Sequence, residues 1–313
     1  MSPPDLWGAS LVRDAAANRL ILFGGKDAAG NARATAWALD LSVSPPAWST
    51  LATSGPSARY GHVAAYTPSS PPSMVMFGGW DPSAGSARSD TWNLGLTPGV
   101  ESWTAVTVTG SMSPLVFACA CWPAASSDMI LFGGCDRDPL NAGGPVSYYG
   151  GIHKFHFTVT GGAWSYWGNG TYGAGGACMV DDPVRGRVVV FGGWNNPGGN
   201  AQVLQSGFSF VWSANTLSGL SFASPPAARM LSSWTVRGSD QRAYLFGGRD
   251  LSGALGDLRT YDLASGTWSA PAPVVGGPPA ARFGHSAIVL GSNPDRLYVF
   301  TGSPAGGGLW TFR

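Results

Sequence analysis

The sequence predicts an all-β chain built from six copies of one unit, and three observations carry that prediction. The first is a recurring run: Leu22-Phe23-Gly24-Gly25, Met76-Phe77-Gly78-Gly79, Leu131-Phe132-Gly133-Gly134, Val190-Phe191-Gly192-Gly193, Leu245-Phe246-Gly247-Gly248 and the altered Val299-Phe300-Thr301-Gly302. Successive phenylalanines stand 54, 55, 59, 55 and 54 residues apart, and a constant period of that size marks a repeat architecture. The second is composition. Glu101 is the sole Glu, and Lys26 and Lys154 are the only Lys, so two of the strongest helix formers are nearly missing. The third is the wealth of turn formers, 46 Gly and 24 Pro, which a chain of many short strands requires.

Each unit divides into four strand-like runs, a to d. In the second repeat these are residues 61–66, 74–77, 90–94 and 102–106, rich in Val, Phe, Trp and Thr and bounded by Gly, Pro, Ser or Asp. Strand b ends in the Phe-Gly-Gly run. The glycines let the chain turn at once beside a packed neighbour, with positive φ and close backbone approach. Strand c carries a landmark at Trp37, Trp92, Phe155, Phe208, Arg259 and Trp310, and strand d a second ring at Trp48, Trp103, Trp164 and Trp268, with Phe222 assigned in repeat four. Large rings at fixed places, each burying roughly 150–250 Å², are suited to wedging twisted sheets at a constant angle.

The Phe-Gly-Gly run, the tryptophans of strands c and d, and the entries Ala58-Arg59-Tyr60-Gly61-His62 and Ala281-Arg282-Phe283-Gly284-His285 resemble the kelch repeat, over about residues 6–313. The resemblance implies a six-bladed β-propeller, one four-stranded sheet per repeat around a central channel. The resemblance also implies a single domain over 1–313, with blades at about 6–52, 59–107, 114–168, 172–223, 229–272 and 282–313. Repeats three and four depart from the entry, opening Pro114-Leu115-Val116-Phe117 and Tyr172-Gly173-Ala174-Gly175 without Arg or His. Nothing supplies strand d for the last repeat, so that blade is expected to be three-stranded, closed by face packing against the first. Its open edge would be a pairing liability or a docking site.

Loops d–a and b–c should share one face. The b–c loops run 12, 13, 21, 15, 11 and 8 residues from second glycine (Gly302 in the sixth repeat) to strand-c landmark, so repeats three and four carry the insertions, and long loops on a rigid ring are where function sits. Residues after each Gly pair should ring one mouth: Lys26 and Asp27, Trp80 and Asp81, Cys135 and Asp136, Trp194 and Asn195, Arg249 and Asp250. The third loop adds Arg137, Tyr148 and Tyr149. In kelch substrate adaptors an Arg at the matching entry lines the peptide-binding mouth. The resemblance therefore implies Arg59, Arg229 and Arg282 as ligand contacts, suited to a carboxylate or acidic peptide. The competing expectation pairs them with Asp27, Asp81 and Asp250 as loop ties. Trp80 and Trp194 suit stacking on sugars or flat rings, or packing on a neighbouring blade. His62 and His285 share one repeat position and read as ligand-facing or structural.

The function expected is a binding module that captures a protein segment or a small acidic or sugar-like ligand at this mouth. The alternatives are a small-molecule enzyme (isomerase, lyase or metal-dependent oxidase) using the same mouth, and a structural scaffold subunit. No catalytic residue, metal or cofactor is predicted. Charge is balanced, 18 basic against 17 acidic residues, with no basic stripe for nucleic acid. No apolar run is long enough for a membrane span, and the N-terminus lacks a basic region and apolar core. The chain accordingly reads as a soluble, cytoplasmic monomer, unless a secretion signal has been trimmed. Cys119, Cys121, Cys135 and Cys178 follow neither zinc nor dense disulfide spacing. They read as reduced, mostly buried thiols, with a soft-metal or redox site at Cys119, Cys121 and Cys135 as the alternative.

Overall fold

The computed structural model describes residues 2–51, 54–67, 71–141, 144–158, 160–196, 199–237, 241–270, 279–291, 296–303 and 309–312. Among these residues there is no α-helix, and none of their segments forms a helix long and apolar enough to cross a membrane. Each repeat folds as an antiparallel up-and-down sheet. The first contains Ser10–Asp14, Arg19–Phe23, Ala36–Asp40 and Ala47–Leu51, in that spatial order. The second contains Val63–Thr67, Ser73–Phe77, Thr91–Gly95 and Ser102–Ala105. The fourth and fifth follow the same order, and the third gains a fifth strand where Val108–Thr109 runs parallel to Gly162 and Ala163.

The expected count of six blades, the last three-stranded, is corrected to five complete blades, of four or five strands each, with a smaller sheet in the sixth repeat. There Ser286–Leu290, Arg296–Phe300 and Leu309–Phe312 pair as three strands among the described residues. Its first strand lies against those of the fifth and first sheets, so the inner strands follow one another around an axis and the last meets the first.

Burial explains the sequence pattern. The second strands Arg19–Phe23, Ser73–Phe77 and Asp128–Phe132 are buried along their whole length, because neighbouring sheets cover both their faces. The Phe of three Phe-Gly-Gly runs reaches the strand-d Trp of the next blade: Phe23 to Trp103 at 4.8 Å, Phe77 to Trp164 at 4.9 Å, Phe191 to Trp268 at 5.1 Å between ring centroids, while Phe132 meets Phe208 at 4.9 Å. Across the seam between the sixth and first sheets Phe300 meets Trp48 at 5.1 Å. These offset and tilted pairs are the arrangements aromatic quadrupoles favour, and they set the spacing of the blades.

Two landmarks move. In the third blade Leu131, the residue before Phe132, pairs with His153, whereas Phe155 pairs with Met129. His153 therefore holds the place of Trp37 and Trp92, and Phe155 that of Leu39 and Leu94. The longer loop of that repeat hid the shift. Phe222 lies beyond the fourth blade's outer strand Thr216–Leu220, wedged against Phe191 and Tyr261. Leu217, opposite Phe210, stands where other blades place Trp.

At the axis the residues at the start of each strand a form a closed circuit of backbone hydrogen bonds. Gly8 N–H donates to Gly284 O, Gly61 to Gly8, Phe117 to Gly61, Gly176 to Phe117, Leu231 to Gly176 and Gly284 to Leu231, all at 2.7–2.8 Å. All six residues have φ between 55° and 68°. Glycine takes that left-handed conformation freely, whereas Phe117 and Leu231 adopt it at a steric cost.

Candidate functional site

The d–a and b–c loops interlock on one face. Each residue before the axial circuit pairs with the residue after a Gly pair: Trp7 with Lys26, Tyr60 with Trp80, Val116 with Cys135, Gly175 with Trp194, Met230 with Arg249 and Phe283 with Ser303. The residues after the Gly pairs are thus in ladder contact with an inner ring.

That inner ring is aromatic. Trp7 lies 5.2 Å from Tyr60, 5.9 Å from Phe117 in a stacked arrangement and 6.3 Å from Phe283. Lys26 Nζ sits 4.5 Å from both the Trp7 and Tyr60 rings and 4.0 Å from Asp138. Burial pulls the Lys26 ammonium below the ordinary lysine value, with the Asp138 charge opposing. The Tyr60 hydroxyl donates to Asp138 at 2.8 Å, and burial, with the Asp138 charge, pushes its ionisation up. Arg249 lays its guanidinium 4.9 Å from the Phe283 ring.

The three entry arginines lie beneath this surface. Arg59, Arg229 and Arg282 are at most 1% exposed. Arg59 grips Asp90 with two bonds of 2.6 and 2.9 Å and donates to Gly78 O at 3.0 Å. Arg229 holds Asp257 at 2.8 and 2.9 Å and Gly247 O at 2.9 Å. Arg282 donates to Thr301 O and Ala280 O, both at 3.0 Å. Each ties a d–a loop to the b–c turn of its own sheet through a bidentate or carbonyl-directed fork that suits arginine. In blade four, which lacks the Arg, the Tyr172 hydroxyl lies 3.2 Å from Gly192 O and 3.1 Å from Ser206 O, so a phenol does the same task.

The pairing with Asp27, Asp81 and Asp250 is corrected. Those three accept from backbone N–H groups of their own loops, at Ala29 and Asn31, Ser83 and Ala84, and Ser252 and Gly253. These are side-chain-closed turns. The partners actually used, Asp90 and Asp257, stand two residues before the strand-c landmarks Trp92 and Arg259. Burial alone would raise both carboxyls, but the Arg59 and Arg229 hydrogen bonds and charges outweigh it and hold both below the usual carboxylate range.

His62 and His285 are buried and bridge neighbouring blades. Their Nε2 atoms contact Ser10 Oγ at 2.9 Å and Ser233 Oγ at 2.8 Å on the preceding blades. Burial, reinforced by Arg59 and Arg282, lowers both to about 3, so both rings are neutral near pH 7. Burial raises all four thiols, Cys178 to about 12, and all are free. No group of three metal-ligating side chains occurs among the described residues.

The long loops of repeats three and four meet beside the mouth. Val146, Tyr148, Gly173, Asn195 and Asn196 line a recess of about 250 Å³, and Tyr148 packs 6.3 Å from Trp194. Among the described residues, the buried Asn195 Oδ1 and Asn196 Oδ1 of this lining have no partner, and neither has Trp194 Nε1, the residue before them in the chain. Asp136 instead accepts from Ser147 N at 3.0 Å and lies 3.6 Å from Arg137 Nε, a loop-internal role. Tyr149 turns away and packs on the core between the second and third sheets.

No curated protein matches the sequence. A family model does: that of the KLHDC2/KLHL20/DRC7 Kelch-repeats domain covers residues 1–165 and 167–309. With the repeated Phe-Gly-Gly turns, the interblade Phe–Trp pairs and the all-β propeller architecture, the chain belongs to the Kelch-repeats domain family.

Proposed function

We propose that this propeller is a protein-interaction module that captures an extended protein segment on the d–a/b–c face, across the aromatic mouth and into the recess between the third and fourth b–c loops. Kelch propellers generally mediate protein–protein interaction, and fold alone does not choose the face or the ligand. One observation carries the choice: Asn195 Oδ1 and Asn196 Oδ1 at this recess, and the adjoining Trp194 Nε1, have no partner among the described residues. Buried polar atoms without partners are costly, and a donor beside two acceptors complements the alternating C=O and N–H of a main chain. Trp7, Tyr60 and Trp80, only partly covered or just beneath the surface, offer the rigid aromatic anchors that dominate interface energetics.

The test is selection of a displayed random-peptide library on the full chain. The selected peptides are then measured against Trp194→Ala and Asn195→Ala, with melting temperature as the folding control. Enriched peptides should lose about tenfold or more in affinity to either variant, roughly 1.4 kcal/mol, while melting stays within about 2 °C of the parent. Failure to enrich any peptide, or enrichment of peptides indifferent to both substitutions, counts against the reading.

A further inference from the structure

We propose that the axial cavity opening on the opposite face, where the a–b turns lie, is a second site that binds a small organic cation. Asp181 is its counter-ion, and Trp122 and Tyr66 are its aromatic walls.

The cavity measures about 470 Å³ and is lined by residues of all six innermost strands, within the range of small-molecule sites. Its lining is mostly apolar, with Asp181 as the acid and Arg13 as the base. Asp181 is held in place by one oxygen only: Oδ2 accepts from Ala124 N at 2.8 Å, in the a–b turn of the neighbouring blade. The other oxygen, Oδ1, is buried and has no partner among the described residues.

The neighbouring acids at this end of the molecule are compensated. Asp14 pairs with Arg19 at 2.8 Å, Asp128 with Lys154 at 2.9 Å and Asp182 with Arg187 at 2.9 Å. Among the described residues Asp181 has no such cation. Arg13 is engaged elsewhere, donating to Asn18 Oδ1 at 2.6 Å and Arg19 O at 3.3 Å. Burial accordingly raises the Asp181 carboxyl, opposed by the Ala124 bond and reinforced by Asp182. A carboxylate kept partly buried without a counter-charge is costly, and a bound ammonium group would remove that cost. The Trp122 indole lines the same cavity, fixed by its Nε1 donation to Ser126 O at 3.1 Å. A ring face beside a carboxylate is the setting in which organic ammonium ions are favoured over neutral isosteres.

The test is calorimetric titration of the full chain with choline and putrescine, and with 3,3-dimethyl-1-butanol as the neutral isostere of choline. At least one cation should bind saturably, and choline at least about tenfold tighter than the neutral alcohol. Asp181→Asn, which preserves volume and the acceptor for Ala124, should weaken cation binding by about tenfold or more, and Trp122→Leu by severalfold. If a variant fails to fold, the choline–alcohol comparison on the parent chain decides. Equal affinities for choline and the alcohol, an unchanged cation affinity in folded Asp181→Asn, or no cation bound at about 10 mM would each overturn the proposal.

Discussion

Replacing Arg229 with Met removes a side chain that is 1% exposed and donates four hydrogen bonds. Methionine fills much of the same volume but leaves Gly247 O and Ala227 O without their side-chain donor. An unsatisfied buried acceptor costs about 1–3 kcal/mol, and the Gly247 carbonyl bond is fully buried. Asp257 loses its partner too, but its side chain is 37% exposed, so water recovers much of that loss and the ion pair is discounted. The sum is a destabilisation of about 3 kcal/mol, or a fall in melting temperature of about 5–10 °C. The pH dependence carries a second signature. Arg229 holds the Asp257 carboxyl below its ordinary value, so that contribution is complete above the unfolded carboxyl pKa. It is lost as pH falls through the folded one. The gap between Arg229→Met and the parent should therefore narrow as pH is lowered from 7 toward 3. Calorimetry across that range reads both effects. A variant melting within about 1 °C of the parent at pH 7, or a gap that widens in acid, would refute the assignment of Arg229 as a buried tie.

Gly193 has φ of 106°, and a Cβ there would lie 2.8 Å from Ala174 Cβ; Gly193→Val should cost a few kcal/mol by strain and crowding, read as a lowered urea midpoint. His62 and His285 titrate near 3 when folded and near 6.5 when unfolded. The unfolded chain thus binds the extra protons between those values, and stability falls as pH drops through that window, by up to about 1.4 kcal/mol per pH unit for each ring. His62→Gln should flatten the decline in urea midpoint between pH 7 and pH 4, and an unaltered slope would show that the ring does not carry it.

The sequence made the wheel legible because its parts recur. The Phe-Gly-Gly turn and the strand-d Trp are the two halves of one interblade contact, and both are repeated at fixed spacing. Features occurring once, or whose partners lie far apart in sequence, were not legible. Arg59 and Asp90 are 31 residues apart, and Arg229 and Asp257 are 28. Composition could not choose between these acids and the ones beside the Gly pairs, although the shared Asp two residues before Trp92 and Arg259 was an available signal. The aromatic mouth was half seen. Trp80 and Trp194 were marked by their Gly pairs, while Trp7, Phe117 and Phe283 came to the same opening only through tertiary pairing. Phe117 and Leu231 occupy positions where other repeats place Gly, so the axial circuit had no uniform signature. Asp181 reads in sequence as an ordinary turn acid beside Asp182, and only the missing counter-charge sets it apart.

The circuit of peptide bonds at the axis bears on how the wheel stays shut. A loop of donors and acceptors has neither first nor last member, so every link is supported from both sides, and hydrogen bonds in such a chain polarise one another. Two of its links join the N-terminal Gly8 to Gly284 and Gly61, and Ser286 Oγ and Gly302 N add bonds of 2.7 and 3.0 Å to Ala9 O and Leu6 O. The first and sixth repeats are thus fastened to each other at the hub, where leverage is smallest, as well as by the Phe300–Trp48 pair further out. Such a fastening holds the inner strands of the first and sixth repeats together without drawing on the outermost strands of the wheel.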